Sequence, residues 1–167
     1  MSYTCQERYW KELDQLRVHV FYVVEYIEHT VHIDRSINIF LALCSNGSIA
    51  GWAIWQKYSF FWGVIIALSQ IVNALKGYLP YVTRLRSLYN LSSELEALFI
   101  DAENKWYDVA QGKMTEEDVH RSHMNLKQRE VSIVQNSFKK NALPHKERYM
   151  ENARKLASEY FKNFYGE

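Results

Sequence analysis

Two stretches of the chain, Ser36 to Gln56 and Tyr58 to Leu75, contain no Asp, Glu, Lys or Arg, and only Lys57 stands between them. A helix rises about 1.5 Å per residue, so about twenty such residues reach across a ~30 Å hydrocarbon core. The pattern predicts a two-helix transmembrane hairpin over residues 36–79, with spans at Ile37 to Trp55 and Phe60 to Leu79. On either side the apolar residues thin into helical seams. From Cys5 to about Asp34, Trp10, Leu13, Val20, Val24, Ile27 and Val31 recur at alternating steps of three and four, broken by Arg17. After the hairpin comes a second seam, Leu85, Leu88, Leu95, Phe99, Ala102, Trp106 and Val109, interrupted by Ser92. No Gly or Pro precedes Gly47, so the first helix is expected to run on into the first span. Antiparallel spans would set the two seams side by side as a stalk.

The punctuation divides the remainder. Pro80 either kinks one long helix or opens a new one at its first position. Gln111-Gly112-Lys113 closes the post-hairpin helix, and Thr115 followed by Glu116, Glu117 and Asp118 reads as an N-cap with acids in the first turn. A third helix is expected to about Lys140. After the break at Asn141 to Pro144, a final helix is expected over Pro144 to Phe164, with Tyr149, Ala153, Leu156, Tyr160 and Phe164 as its apolar face and Met150, Ala157 and Phe161 alongside. The predicted organisation is therefore all-α: an N-terminal cytoplasmic helix (1–35), the membrane hairpin (36–79), and a cytoplasmic helical region (80–167) packed on the N-terminal helix.

The edges of the hairpin fit a bilayer. Trp52, Trp55, Tyr58, Phe60, Phe61 and Trp62 cluster at the turn, and Tyr78 and Tyr81 flank the far end, as interfacial aromatics do. Arg35, Lys76, Arg84 and Arg86 lie on the terminal side against Lys57 at the turn, which predicts that both termini are cytoplasmic. The alternative is a helical domain in water whose two central helices are buried on all sides. Polar residues at mid-depth favour it: Ser45, Asn46 and Ser48 in the first span, Ser69, Gln70 and Asn73 in the second. In a bilayer these would face a partner helix or an aqueous path. Gly47 and Gly51 form a small-xxx-small step that lets two backbones approach, so Asn46, Gly47, Ser48, Gly51, Ser69, Gln70 and Asn73 are the candidate packing face or polar seam.

Composition adds limits. Twelve Tyr, eight Phe and five Trp against six Gly and two Pro suit helices with short connections. A net charge of +1 gives no general pull toward nucleic acid, which is not expected as a partner. Cys5 and Cys44 stand at no metal or redox spacing and read as unpaired thiols. The first thirty-five residues carry no cleavable-signal pattern, so the hairpin itself would direct the chain to the membrane.

Chemistry is sparse. The sequence has no nucleophile elbow, phosphate loop, dinucleotide fingerprint or Cys-based zinc spacing, and neither a catalytic residue nor a cofactor is expected. The candidate metal ligands are His29 and His32 near Glu25 and Glu28, and His120 and His123 near Glu116 and Glu117. Neighbours three and four apart share a helical face, but the full ligand set of a carboxylate-bridged bundle is missing. Lys146, Arg148, Arg154, Lys155 and Lys162 in the last helix would suit an anionic membrane surface, whereas Glu147, Glu151 and Glu159 dilute that charge and favour packing in a bundle.

A helix, a tight hairpin of two spans and long cytoplasmic helices together resemble the SLATT-type two-span membrane proteins of bacteria. Around Ile49 to Leu85 the words "SIAGWAIWQ", "SQIVNALKGYLPY" and "RLRSL" are also similar to uncharacterised bacterial membrane proteins. The first resemblance implies an effector of bacterial conflict or antiphage defence, in which a nucleotide signal or partner sensor triggers assembly that breaches the inner membrane. It would place oligomer contacts at Gly47 and Gly51 and line a pore or polar seam with Asn46, Ser69 and Asn73. With no nucleotide-binding pattern in the chain, the trigger would come from a partner. The expected partners are thus the lipid bilayer, further copies of the chain and a protein partner or sensor. Three readings follow in order: a non-enzymatic, oligomeric membrane-perturbing effector or small channel; a membrane-tethered scaffold for a partner protein; and a soluble helical bundle with a metal site.

Overall fold

The computed structural model describes residues 4–54, 59–76, 81–138 and 143–166, and of 45–54, 59, 62 and 81–83 the backbone only. Five helices account for nearly all of it: α1 (Cys5–Ile54), α2 (Ser59–Lys76), α3 (Tyr81–Ala110), α4 (Glu116–Ser137) and α5 (Glu147–Tyr165). No strand occurs among the described residues, so the chain is all-α. As the absence of breakers predicts, α1 continues without interruption from the first seam through Gly47 and Gly51. Pro80, the aromatic side chains at 52, 55, 58, 62, 78 and 81, and Lys57 lie outside the described set. Among the described residues no helix is long and apolar enough to cross a membrane.

The chain divides into two compact units, one of Met1–Ile27 with Arg86–Glu167 and one of Glu28–Leu85. In the first, the early part of α1 meets α3 antiparallel: Tyr9 donates to the Ala102 carbonyl at 3.0 Å, Gln6 Nε2 to the Val109 carbonyl at 3.2 Å, and Arg17 pairs with Glu96 at 2.8 Å. The core is Leu13, Leu16, Val20 and Val23 of α1 against Leu88, Leu91, Leu95, Leu98 and Phe99 of α3, all buried. It exceeds the two predicted seams because α4 and α5 also pack on this pair, making a four-helix bundle rather than a two-stranded stalk. Tyr9, Val109 and Val119 close one end, with Cys5, Trp106 and Met114 packed around them.

The helix ends follow local chemistry. Gly112, at φ +67°, turns the chain after α3, its N–H bonding Val109 O while the N–H of Lys113 returns to Asp108 O. Thr115 caps α4, its hydroxyl accepting from the N–H of Asp118 at 3.2 Å. Two expectations for the last helix need correction. It begins at Glu147, not Pro144, because the Tyr22 hydroxyl donates to Pro144 O at 2.9 Å and accepts from Lys146 N at 3.2 Å, holding those residues extended. Its buried stripe is Tyr149, Ala153, Ala157 and Phe161, while Leu156 and Phe164 are exposed. Two alanines at that stripe let α5 approach its neighbours closely, so the small residues face inward.

In the second unit, the later part of α1 and α2 run antiparallel as a helical hairpin. Lys76 Nζ donates to Asn38 Oδ1, and Asn38 Nδ2 in turn to Asp34 Oδ2 at 2.9 Å. This polar chain fixes their register at the end away from the turn.

Candidate functional site

Most of the hairpin's described apolar side chains face outward, as do Gln70 and Asn73. Phe60 is 78% exposed, Phe61 65%, Leu43 68% and Leu75 54%, with Ile39, Leu68 and Ile71 also outward, whereas Ser69 is at 9%. Burying one Leu, Ile or Phe is worth about 1.5–3 kcal/mol. Leaving this many in water forfeits an amount comparable to the about 5–15 kcal/mol that holds a whole domain together.

Between the two helices lies an open cleft of about 460 Å³ lined by Leu41, Ala42 and Cys44 of α1 and Ile66, Ser69, Gln70 and Asn73 of α2. Three of the seven predicted seam residues therefore share one cleft. Ser69 is satisfied by its own helix, donating to Ile66 O at 2.8 Å. Gln70 and Asn73, one turn apart, have no hydrogen-bond partner among the described residues. Asn46, Gly47, Ser48 and Gly51 are helical in α1, and their surroundings lie outside the described residues.

The histidines are not gathered into a metal centre. His29 and His32 belong to the hairpin unit and are exposed, whereas His120 and His123 belong to the bundle. The latter pair points apart: His120 is exposed, and His123 turns inward to Glu12 at 3.3 Å. Among the described residues no group of three or more His, Cys, Asp or Glu is placed to hold an ion.

The bundle carries polar groupings that the periodic reading passed over. Arg17, a break in the seam, lies with its guanidinium 4.2 Å from the Tyr160 ring centre, 4.5 Å from Phe21 and 4.6 Å from Phe99. Three aromatic faces and the Glu96 carboxylate replace its water, and its Nε is buried without a hydrogen-bond partner. Glu103 accepts from two phenols, Tyr160 at 2.7 Å and Tyr165 at 2.9 Å. Burial first, and then the hydrogen bond to Glu103, pushes the Tyr160 hydroxyl up to about 12 and raises Tyr165 for the same reasons. Trp10 divides two surface clefts on this unit. One is lined by Glu7, Trp106 and Tyr165 among others, and the other by Asp14, Val18, Arg154, Ser158 and Phe161. Burial raises the Asp14 carboxyl above its ordinary value. A charged residue inside an apolar period, as at Arg17, was the available signal. The partners at Glu96, Phe99 and Tyr160 stand too far along the chain for periodicity to name. No protein-family model, curated protein or solved structure matches the chain.

Proposed function

We propose that the chain is a non-enzymatic, oligomeric protein of a bacterial inner membrane whose helical hairpin inserts in the bilayer, perturbing it or forming a small channel. The observation that carries this reading is the outward set of apolar side chains on the hairpin, with Ser69 buried and the exposed Gln70 and Asn73 lining the open cleft between its helices. Hydrocarbon solvates the first group, while the second requires partners or water at depth. Gln70 and Asn73 each hold both donors and an acceptor, so the same amides of another copy are a matching partner. On this reading residues 1–35 and 80–167 are cytoplasmic, and the bundle receives a trigger from a protein partner, as the resemblance to SLATT-type proteins implies.

Fractionation tests insertion: the chain is expected in the membrane pellet after alkaline carbonate washing, and recovery in the supernatant without detergent defeats the proposal. Induced expression is then expected to depolarise cells, and Asn73→Leu, Asn46→Leu or Gly51→Leu to abolish that effect. A membrane-bound chain that leaves the potential unchanged favours the second reading, a tethered scaffold. That reading draws on Met124, Val131 and Val134, which stand exposed on α4 as a surface for a partner protein.

A further inference from the structure

Helix α4 is held to the bundle differently from α5. Its buried residues are Val119 and Leu126, both in its first half, whereas α5 buries Tyr149, Ala153, Ala157 and Phe161 along its length. Beyond Leu126 the apolar contacts thin to the partly buried Ile133 and Phe138, and polar contacts stand among them. On α1, Glu12 and His19 stand seven residues apart, and on α4 so do His123 and Glu130. Glu12 meets His123 at 3.3 Å and His19 meets Glu130 through Nδ1, so acid and imidazole exchange places one heptad on. The matching order shows α1 and α4 running parallel, with the two pairs about 10 Å apart along the axis.

We propose that the His19–Glu130 pair forms a proton-operated latch, closing the second half of α4 onto α1 in mildly acidic medium and slackening it as the medium turns alkaline. The two ends differ in what else holds them. Glu12 is buried and takes Lys127 Nζ at 3.2 Å beside His123, so its end has a lysine partner of its own. The far end has His19 with Glu130, and beside it Arg129 on Asp101 of α3. Glu130 and, one heptad back, Glu12 are the carboxylates acting on His19. Of the other charged groups around this part of α1, Glu96 of α3 is taken by Arg17, Lys146 just ahead of α5 sits over Tyr26 and Tyr149, and Arg154 of α5 shares a cleft with Asp14.

The hydrogen bond to Glu130 raises the pKa of the half-exposed His19 above its ordinary value. A group raised in the folded state adds stability that is complete below its unfolded pKa, about 6.5, and is lost as the pH climbs through the folded value. The latch therefore weakens from about neutrality upward. The half of α4 beyond Leu126, with Val131 and Val134 already exposed, loosens first.

Hydrogen exchange on the full chain, corrected for intrinsic rates, tests this between about pH 5.5 and pH 8. Exchange of residues 127–137 is expected to rise severalfold relative to α5, while residues 116–126 follow α5. In His19→Gln the difference is expected to vanish, with α4 at its alkaline protection throughout. By NMR titration His19 is expected above the ordinary value in the wild type and to fall in Glu130→Gln, which also decides the matter if His19→Gln does not fold. Titration of His19 at or below the ordinary value, or second-half protection that tracks α5 at every pH, overturns the latch. None of these outcomes depends on whether the hairpin enters a bilayer.

Discussion

Arg17 shows how a single residue can sit in an apolar period without breaking it. Its long stem packs like a hydrophobe while its planar head stacks on Tyr160, Phe21 and Phe99 and pairs with Glu96. Truncation to Ala leaves the cage empty and Glu96 unpaired, and because Glu96 is partly exposed the expected cost is about 3 kcal/mol, the low end for a broken buried pair. Arg17→Met keeps the volume, and its melting temperature is expected between those of the wild type and Arg17→Ala; equal losses in thermal melts would place the effect in the charge alone. The tyrosines carry an alkaline limit. Burial lifts Tyr9, with Asp101 adding to it, and burial with the Glu103 bond lifts Tyr160, both to about 12 from an unfolded value near 10. Stability from these neutral phenols is complete below about pH 10 and declines toward pH 12. Circular dichroism with tyrosinate absorbance is expected to show bundle unfolding accompanying phenol ionisation in that window, and Tyr160→Phe is expected to retain more structure there.

At the scale of elements, much was legible because the signals were local. The Thr115 cap, the Gly112 stop and the unbroken run of α1 each follow from residues within one or two turns, and the structure places them as the spacing predicts. Thr115→Ala is accordingly expected to cost about 1 kcal/mol, read as a shift in the chemical denaturation midpoint. The errors lay where distant residues decide. Pro144 reads as a helix start until Tyr22 claims its carbonyl, and Leu156 reads as core until Ala157 and Phe161 take that face. His120 and His123 share a face at ideal spacing, yet Glu12, more than a hundred residues away, draws one of them inward. Ala157→Leu tests the corrected face: overpacking is expected to cost about 1–3 kcal/mol in thermal melts, whereas Leu156→Ala is expected to be nearly neutral.

For the whole molecule, the charge-free stretches located the hairpin and the seams located the bundle pair, but neither reported which polar side chains the fold would bring together. The hairpin cleft assembles Ser69, Gln70 and Asn73 with Cys44, and it is there that an effector reading and an anchor reading part company. The bundle is also discontinuous in sequence, since Met1–Ile27 and Arg86–Glu167 enclose the hairpin unit between them. Its closing contacts join Tyr9 to Ala102, His19 to Glu130 and Tyr22 to Pro144. During synthesis the first turns of α1 therefore leave the ribosome with no bundle partner yet made, and the entire hairpin must follow before Leu88 to Phe99 arrive to cover Leu13, Leu16 and Val20. The order of translation thus presents the apolar hairpin while the bundle is still open.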